Sequence, residues 1–457
     1  MKLHIGPLLI WLATALVAGD AVAGPASDAR PGFVRIQDQQ FTLGGKPYCY
    51  VGANVWFGAY LGADEEFGDR QRLQRELDLL ASSGLSNLRV LGASEKSPLK
   101  DSLTITFRDR SNAYNEALLR GLDYLLAEMA KRGMKAVIYL NNFWEWSGGM
   151  GTYLYWTNGG EFIDLNDPQH PWPAFADFSA GFYVNEQARA MFRDYIRAVV
   201  GRTNTVTGRP YRDDPSIMAW QLANEPRPGY RNQLGFSRLP QYNAWVDQTA
   251  ALIKSLDPNH LVSTGSEGTM GCLQDEQCYL DAHGSEHIDY LTFHMWPKNW
   301  GWFNARNPGN TFAQTLEKSA DYIYRHMALA ERIGKPVVLE EFGLERDGGG
   351  FSTGLSTSLR DRFYQTVFER VEQDLETRGL FRGTNFWTWG GYGRAQHEDY
   401  RWQPGDRSYT GDPPQEQQGL NSVFDTDAST LDIIRRHAQN LAAADCGPAL
   451  YQIADEP

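Results

Sequence analysis

Two glutamates, far apart in the chain, each end a short hydrophobic run. Glu225 closes the run from Ser216 through Asn224, and Glu341 closes the run from Pro336 through Glu340. A carboxylate at the C-terminal end of a buried strand is costly unless it has a partner or a task. Two such carboxylates on strands of one parallel barrel would meet across its mouth, the arrangement that glycoside hydrolysis uses. Other hydrophobic runs end in kind. They carry Asn54 and Trp56, Arg89, Asn141 with Asn142 and Trp144, Glu267, His294 with Trp296, and Trp387 with Trp389. Any one of these residues has a bland structural explanation. Their joint occurrence at one end of eight strands points to a site.

The elements that must position them follow from periodicity. Strands are predicted over Cys49–Asn54, Asn87–Leu91, Ala136–Asn141, Ile217–Asn224, Leu261–Ser266, Tyr290–Met295, Val337–Glu341 and Thr384–Thr388. Helical spacing fills the gaps, over Arg70–Ser83, Asn115–Arg132, Glu186–Val200, Tyr242–Leu256, Phe312–Ile333, Leu359–Thr377 and Thr430–Ala443. Eight strands alternating with helices imply an α/β fold, a closed (β/α)8 TIM barrel. An open doubly wound sheet would want a phosphate-binding glycine-rich first turn, which Gly52 to Gly58 does not supply. A short N-terminal hairpin, Phe33–Ile36 with Gln40–Lys46, is expected to cover the barrel bottom. Long βα loops, Phe143–Asn185 and Gly390–Asp427, are rich in Trp and Tyr and are expected to wall a cleft.

Composition narrows the function. The chain has 457 residues and a formal net charge of −13, which argues against nucleic acid as a partner. Its 14 Trp and 22 Tyr offer flat apolar faces with polar edges, a match for sugar rings. Residues 1–23 read as a secretory signal: Lys2, an apolar stretch from Ile5 to Val17, and Ala21-Val22-Ala23 for cleavage. Residues 24–457 are expected to form one catalytic domain, secreted and monomeric, with no membrane span. Cys272 and Cys278 enclose a short polar loop and read as a disulfide. Cys49 and Cys446 could be paired or merely buried. No Cys/His grouping has structural-zinc spacing, so no metal and no cofactor is expected.

Asn224-Glu225-Pro226 and Glu341-Phe342-Gly343, with Arg89 and His294 in their strand contexts, resemble glycoside hydrolase family 5. Gly52–Trp56, Asn141-Asn142 with Trp144 and Ser147–Gly149, Gly383–Gly390 and Asn421–Asp427 look like its endo-β-1,4-mannanase branch. The resemblance spans nearly the whole chain after the leader. It implies Glu225 as general acid/base and Glu341 as nucleophile. It also implies substrate contacts by Trp56, Arg89, Asn224, His294, Trp296 and Trp387. Many members have Tyr where this chain has Trp296, its hydroxyl bonded to the nucleophile. An indole N–H can donate such a bond but cannot accept one. Alternation along a strand would turn Glu340 away from Glu341, toward the helices.

The expected reaction is retaining hydrolysis of internal β-1,4-mannosidic bonds in a β-mannan-type polysaccharide, with carboxyl groups about 5–5.5 Å apart. Glu225 is then expected to have a raised pKa and Glu341 a lowered one. An endo-β-1,4-glucanase and an exo-acting β-mannosidase are the alternatives within the class, and a blocked cleft end would favour exo action. A non-catalytic glycan-binding protein and a metal hydrolase are the alternatives outside it.

Overall fold

Eight short apolar runs form parallel strands, each buried along its whole length. The computed structural model describes Met1 and residues 32–447 apart from Pro171. The expected leader and polar tail fall outside the described residues, Met1 excepted. A three-stranded antiparallel sheet comes first, of β1 (Val34–Gln37), β2 (Gln40–Leu43) and β3 (Lys46–Pro47). The barrel strands follow: β4 (Tyr50–Asn54), β5 (Asn87–Leu91), β6 (Lys135–Tyr139), β7 (Ile217–Gln221), β8 (Leu261–Ser263), β9 (Leu291–Met295), β10 (Val337–Phe342) and β11 (Phe381–Phe386). Their order in the sheet is β8-β7-β6-β5-β4-β11-β10-β9, and a parallel bridge from Ser263 to Tyr290 closes the ring. This is the (β/α)8 barrel that the alternating pattern predicts.

The helices form where caps and apolar faces agree. Asn115 accepts hydrogen bonds from the backbone of Ala117 and Leu118, starting the helix Glu116–Lys131. That helix buries Leu118, Leu122, Leu125, Leu126 and Met129 on one face. Gly334, at φ 74°, ends the helix Phe312–Ile333 in the left-handed conformation that glycine takes freely. The N-terminal sheet plugs the barrel bottom. Val34 and Phe41 pack there with Tyr50, Val137, Met218, Tyr290 and Val338.

Four strands, β6, β7, β8 and β11, stop earlier than periodicity predicts, and the stops of β7 and β8 serve the barrel mouth. β7 ends at Gln221 although the apolar run continues to Ala223. Past it the chain climbs to Glu225, whose φ of 49° cannot continue a strand. β8 ends at Ser263 because Gly265 turns at φ 76°. A Cβ on Gly265 would lie 1.9 Å from the Ala223 carbonyl oxygen, so only glycine fits there.

Cys272 and Cys278 are bonded, as expected, and Cys49 is bonded to Cys446. The second bond ties the start of the first barrel strand to the chain just past the helix Ala428–Ala443. No helix among the described residues is long and apolar enough to cross a membrane.

The two bonds close very different loops, with sequence separations of 397 and 6. Chain entropy gives on the order of 6 kcal/mol for the long loop and about 2 kcal/mol for the short one. Replacing Cys49 and Cys446 together by Ala is expected to lower the thermal midpoint clearly more than replacing Cys272 and Cys278. Calorimetry on the two double variants checks this ranking.

Candidate active site

Arg89 sits at the centre of the barrel mouth and has no solvent exposure. Its Nε–H donates to Gln221 Oε1 at 2.7 Å, and one Nη to Asn54 Oδ1 at 3.0 Å. The other Nη donates to Asn224 Oδ1 at 2.7 Å. The guanidinium lies over the Tyr139 ring, 4.6 Å from its centroid. Its remaining charge is met by Glu341, which accepts from Nη1. Four barrel strands therefore hold the guanidinium that faces the nucleophile candidate.

Glu225 and Glu341 face each other with His294 between them. His294 Nδ1–H donates to Glu225 Oε1 at 2.7 Å and lies 3.2 Å from Glu341 Oε2. One ligand-capable atom from each of the three residues falls within a mutual 4.8 Å. These three could in principle hold a metal ion, but the His294 nitrogen they would share already serves both carboxylates.

The remaining bonds to Glu225 come from indoles. Trp144 Nε1–H donates to Oε2 at 2.6 Å, and Trp296 Nε1–H donates to Oε1 at 3.3 Å. The Glu225 backbone N–H donates to Gly265 at 2.9 Å, which fixes its left-handed turn. On the other side, Gly343 follows the nucleophile strand. A Cβ there would lie 2.6 Å from the Trp387 carbonyl oxygen, so glycine lets β10 and β11 close in beside the site.

The expected placement of Glu340 is corrected by the structure. It points into the barrel, not toward the helices: Gln221 Nε2–H donates to it at 2.6 Å and Arg89 Nε lies 3.8 Å away. The pairing of β10 with β9 explains this. Leu339 pairs with Phe293 and Glu341 with His294, so Glu340 is the extra residue of a bulge and strict alternation fails. Burial raises the Glu340 pKa against the pull of Arg89.

The expected raised pKa of Glu225 is also corrected. Burial alone would raise it, but the His294 hydrogen bond and charge, aided by Arg227 and Trp144, hold it at about 2. His294 is the mirror image. Burial would depress it, yet Glu341 and Glu225 lift it to about 9. Both shifts have one cause, the short contact between imidazole and carboxylate, which favours the ionised pair.

Trp56 is the third correction. It is fully buried, donates its Nε1–H to the Gly411 carbonyl at 2.6 Å, and packs on Trp146 and Tyr409. It does not reach the cavity. Trp389 is likewise buried, donating to Glu76 at 2.8 Å.

A cavity of about 630 Å³ opens over the carboxylates. Glu225, Glu341, Asn224, Trp296 and Trp387 line it, with Trp144, Trp146 and Trp172 from the loop after β6. Three charged groups complete the lining, and two of them, Arg227 and Glu416, carried little signal in the sequence. Arg227 stands two residues past Glu225, pairs with Glu267 and lies 3.8 Å from Glu225. Glu267 is pushed up to about 7 by burial, against Arg227. Glu416 is half-buried, and the low-dielectric surroundings together with Asp412 push it up to about 8. The Glu267 strand end was visible in the sequence. Glu416 sits in a long loop with no periodic marker.

A pair of carboxylates at the C-terminal mouth of a (β/α)8 barrel is the arrangement that glycoside hydrolases use. The family model described as GH family 5 beta-mannosidase-like matches residues 31–445, and the chain belongs to glycoside hydrolase family 5. A solved family 5 mannosidase from Rhizomucor miehei is 34% identical, with a TM-score of 0.82 over 91% of this chain and 98% of that one. An endo-1,4-β-mannanase from the same fungus is 25% identical, with a TM-score of 0.64 over 90% and 99%. A putative mannan endo-1,4-beta-mannosidase 9 of Oryza sativa is 27% identical over 96% of both chains.

Two outcomes test this site. Trp56→Phe is expected to cost about 1–3 kcal/mol by stranding the Gly411 carbonyl, while KM for mannooligosaccharides stays unchanged. Thermal melts with steady-state kinetics check it. For His294, the sign follows from where the proton sits. The His294–Glu225 pair holds one proton until pH rises through about 9, so kcat/KM is expected to fall above that point. His294→Gln removes the imidazole and leaves a carboxyl to hold the proton. Its alkaline limb is expected below about pH 7 in a pH–rate profile.

Proposed function

We propose that the protein is a retaining β-mannoside hydrolase that trims β-1,4-mannan-type chains from their ends. The observation that carries this reading is the one-sided cavity. Its lining comes from Glu341 of β10 and from the segments after β6, β7, β8, β9 and β11, and no described residue after β4 or β5 contributes. On that side Trp56, Trp146 and Tyr409 pack into a sealed wall. Trp146 in turn meets Trp387, with ring centroids 6.5 Å apart. Pro413, Gln415 and Glu416 also crowd the cavity, from the segment after β11. A polymer threading through the mouth would need both sides open. The family description and the mannosidase from Rhizomucor miehei point the same way.

The spacing of the carboxylates supports retention. Oxygens of Glu225 and Glu341 within 4.8 Å suit a nucleophile and an acid, whereas inversion needs about 6.5–9.5 Å for an intervening water. Glu341, held by Arg89, attacks the anomeric carbon. The His294 proton crosses an existing hydrogen bond to Glu225, 2.7 Å between the heavy atoms, and Glu225 passes it to the leaving oxygen. The indole donors Trp144 and Trp296 then stabilise the carboxylate that Glu225 becomes. Glu225 next deprotonates water to release the glycosyl-enzyme. Trp387 supplies an apolar face beside the reacting sugar. The leader-like N-terminus and the two disulfides support export.

The endo-acting reading stands beside this one because the plant relatives carry that name. A tomato relative named mannan endo-1,4-beta-mannosidase 5 is 29% identical over 80% of this chain. Product profiles on mannan and mannohexaose separate the two. Exo action releases small sugars from the first time point, and endo action cuts chain length before monomer accumulates. In the same assay Glu341→Ala is expected to lose activity by at least about 10⁴-fold. Glu225→Ala is expected to keep turnover of an activated aryl mannoside and to yield the retained β-mannosyl azide when azide is added. An inverted azide from Glu225→Ala, or near-native activity of Glu341→Ala, would reverse the roles.

A further inference from the structure

Asn142, just past β6, is fully buried and does not line the cavity, yet it joins two residues that flank the acid/base. Its Oδ1 accepts from Asn224 Nδ2–H at 3.1 Å and from the Trp144 backbone N–H at 3.1 Å. Its Nδ2–H donates to Ser147 Oγ at 3.0 Å. Asn224 precedes Glu225 in the chain, and Trp144 donates its indole N–H to the Glu225 carboxylate at 2.6 Å. A buried asparagine needs partners for its amide, and any polar neighbours would serve. Here both bonds to the oxygen come from residues that touch the reacting carboxyl group or adjoin it.

The direction of these bonds is set from the barrel centre. A guanidinium has donors and no acceptor, and a side-chain amide has one acceptor end and one donor end. Arg89 donates to Asn224 Oδ1 at 2.7 Å, so the Asn224 amide turns its Nδ2 toward Asn142. Asn142 must then present Oδ1 to Asn224 and Nδ2 to Ser147. The relay leads from the cation that faces Glu341 to the loop that carries Trp144. The backbone repeats the link: a parallel bridge pairs Asn142 with Asn224, and the Asn142 carbonyl accepts from the Met150 N–H at 2.8 Å. A Cβ on Gly149 would lie 2.3 Å from that carbonyl oxygen, so the loop turns this tightly only with glycine there.

We infer that Asn142 is a positioning residue for acid catalysis, holding the Trp144 indole on Glu225 in the orientation that Arg89 sets through Asn224. This rests on the proposed mannoside hydrolysis and names a residue that acts on one half of it. The indole bond stabilises the carboxylate that Glu225 becomes once its proton has gone to the leaving oxygen. Loss of the Asn142 side chain frees Trp144 but leaves Asn224 bonded to Arg89, so attack by Glu341 is spared. The cost falls on substrates whose leaving group needs the proton.

The test is kcat/KM on mannotetraose and on dinitrophenyl β-mannoside, whose leaving group departs without a proton, for the wild type, Asn142→Ala, Trp144→Phe and the double variant. Asn142→Ala is expected to lose about tenfold to a hundredfold on mannotetraose and no more than about threefold on the dinitrophenyl substrate. The double variant is expected within about twofold of the weaker single variant on mannotetraose, because both substitutions remove the same bond. Should Asn142→Ala not fold, Ser147→Ala unpairs only the Asn142 Nδ2 and carries the same comparison, with a selective loss of about threefold or more. Equal losses on the two substrates, no loss on mannotetraose, or losses that multiply in the double variant overturn this inference and leave the hydrolase reading intact. A wild type that hydrolyses neither β-mannoside overturns both.

Discussion

The site depends on one buried cation. Arg89 is removed from water and would be prohibitive there without compensation. The compensation is complete and comes from around the barrel: Asn54, Gln221, Asn224, Glu340 and Glu341 surround it, with Tyr139 beneath. The same contacts fix the strand ends relative to one another. Arg89 is planar and always charged, so it can serve several acceptors at once where lysine could serve fewer. Removing it would leave Glu341 with His294, shared with Glu225, as its neighbouring cation.

That balance explains how protons are distributed. Five carboxylates crowd the mouth, counting Glu416, and they are not equivalent. Glu341 takes the guanidinium and Glu225 takes the imidazole. Glu340 and Glu267 are shifted upward by burial despite their cationic neighbours. His294 is the movable element. Its position between two carboxylates lets it keep the proton in the resting state and still deliver it along one short hydrogen bond. An imidazole in contact with both carboxylates gives a proton a direct route to Glu225 along that bond.

The barrel and the two glutamates were legible in the sequence because both rest on local signals. Apolar runs bounded by helical periodicity place the strands, and Asn224-Glu225-Pro226 and Glu341-Phe342-Gly343 mark two of their ends. What was not legible depends on contacts between distant segments. The bulge that turns Glu340 inward appears only when β10 pairs with β9. Trp56 stands beside a strand end, where a sugar platform is plausible, but the loop after β11 folds back and covers it through Gly411 and Tyr409. The partner of Cys49 lies at the opposite end of the chain. Glu416 enters the site from that same returning loop.

That loop also gives the cleft its direction. A (β/α)8 barrel mouth is symmetric in outline, and its chemistry is made asymmetric by which loops rise over it. Here aromatic residues serve opposite ends on opposite sides. Next to β4 they are buried against each other, with the Trp56 indole bonded to Gly411, and form a wall. Past β6 and β7 they are stacked in a row with their faces partly bare. The same residue types thus close one end and extend the other, and burial, not composition, decides which. A chain bound with its reacting sugar against the wall can leave only along the bare row, past Glu225, which places the proton donor at the point where the leaving portion separates.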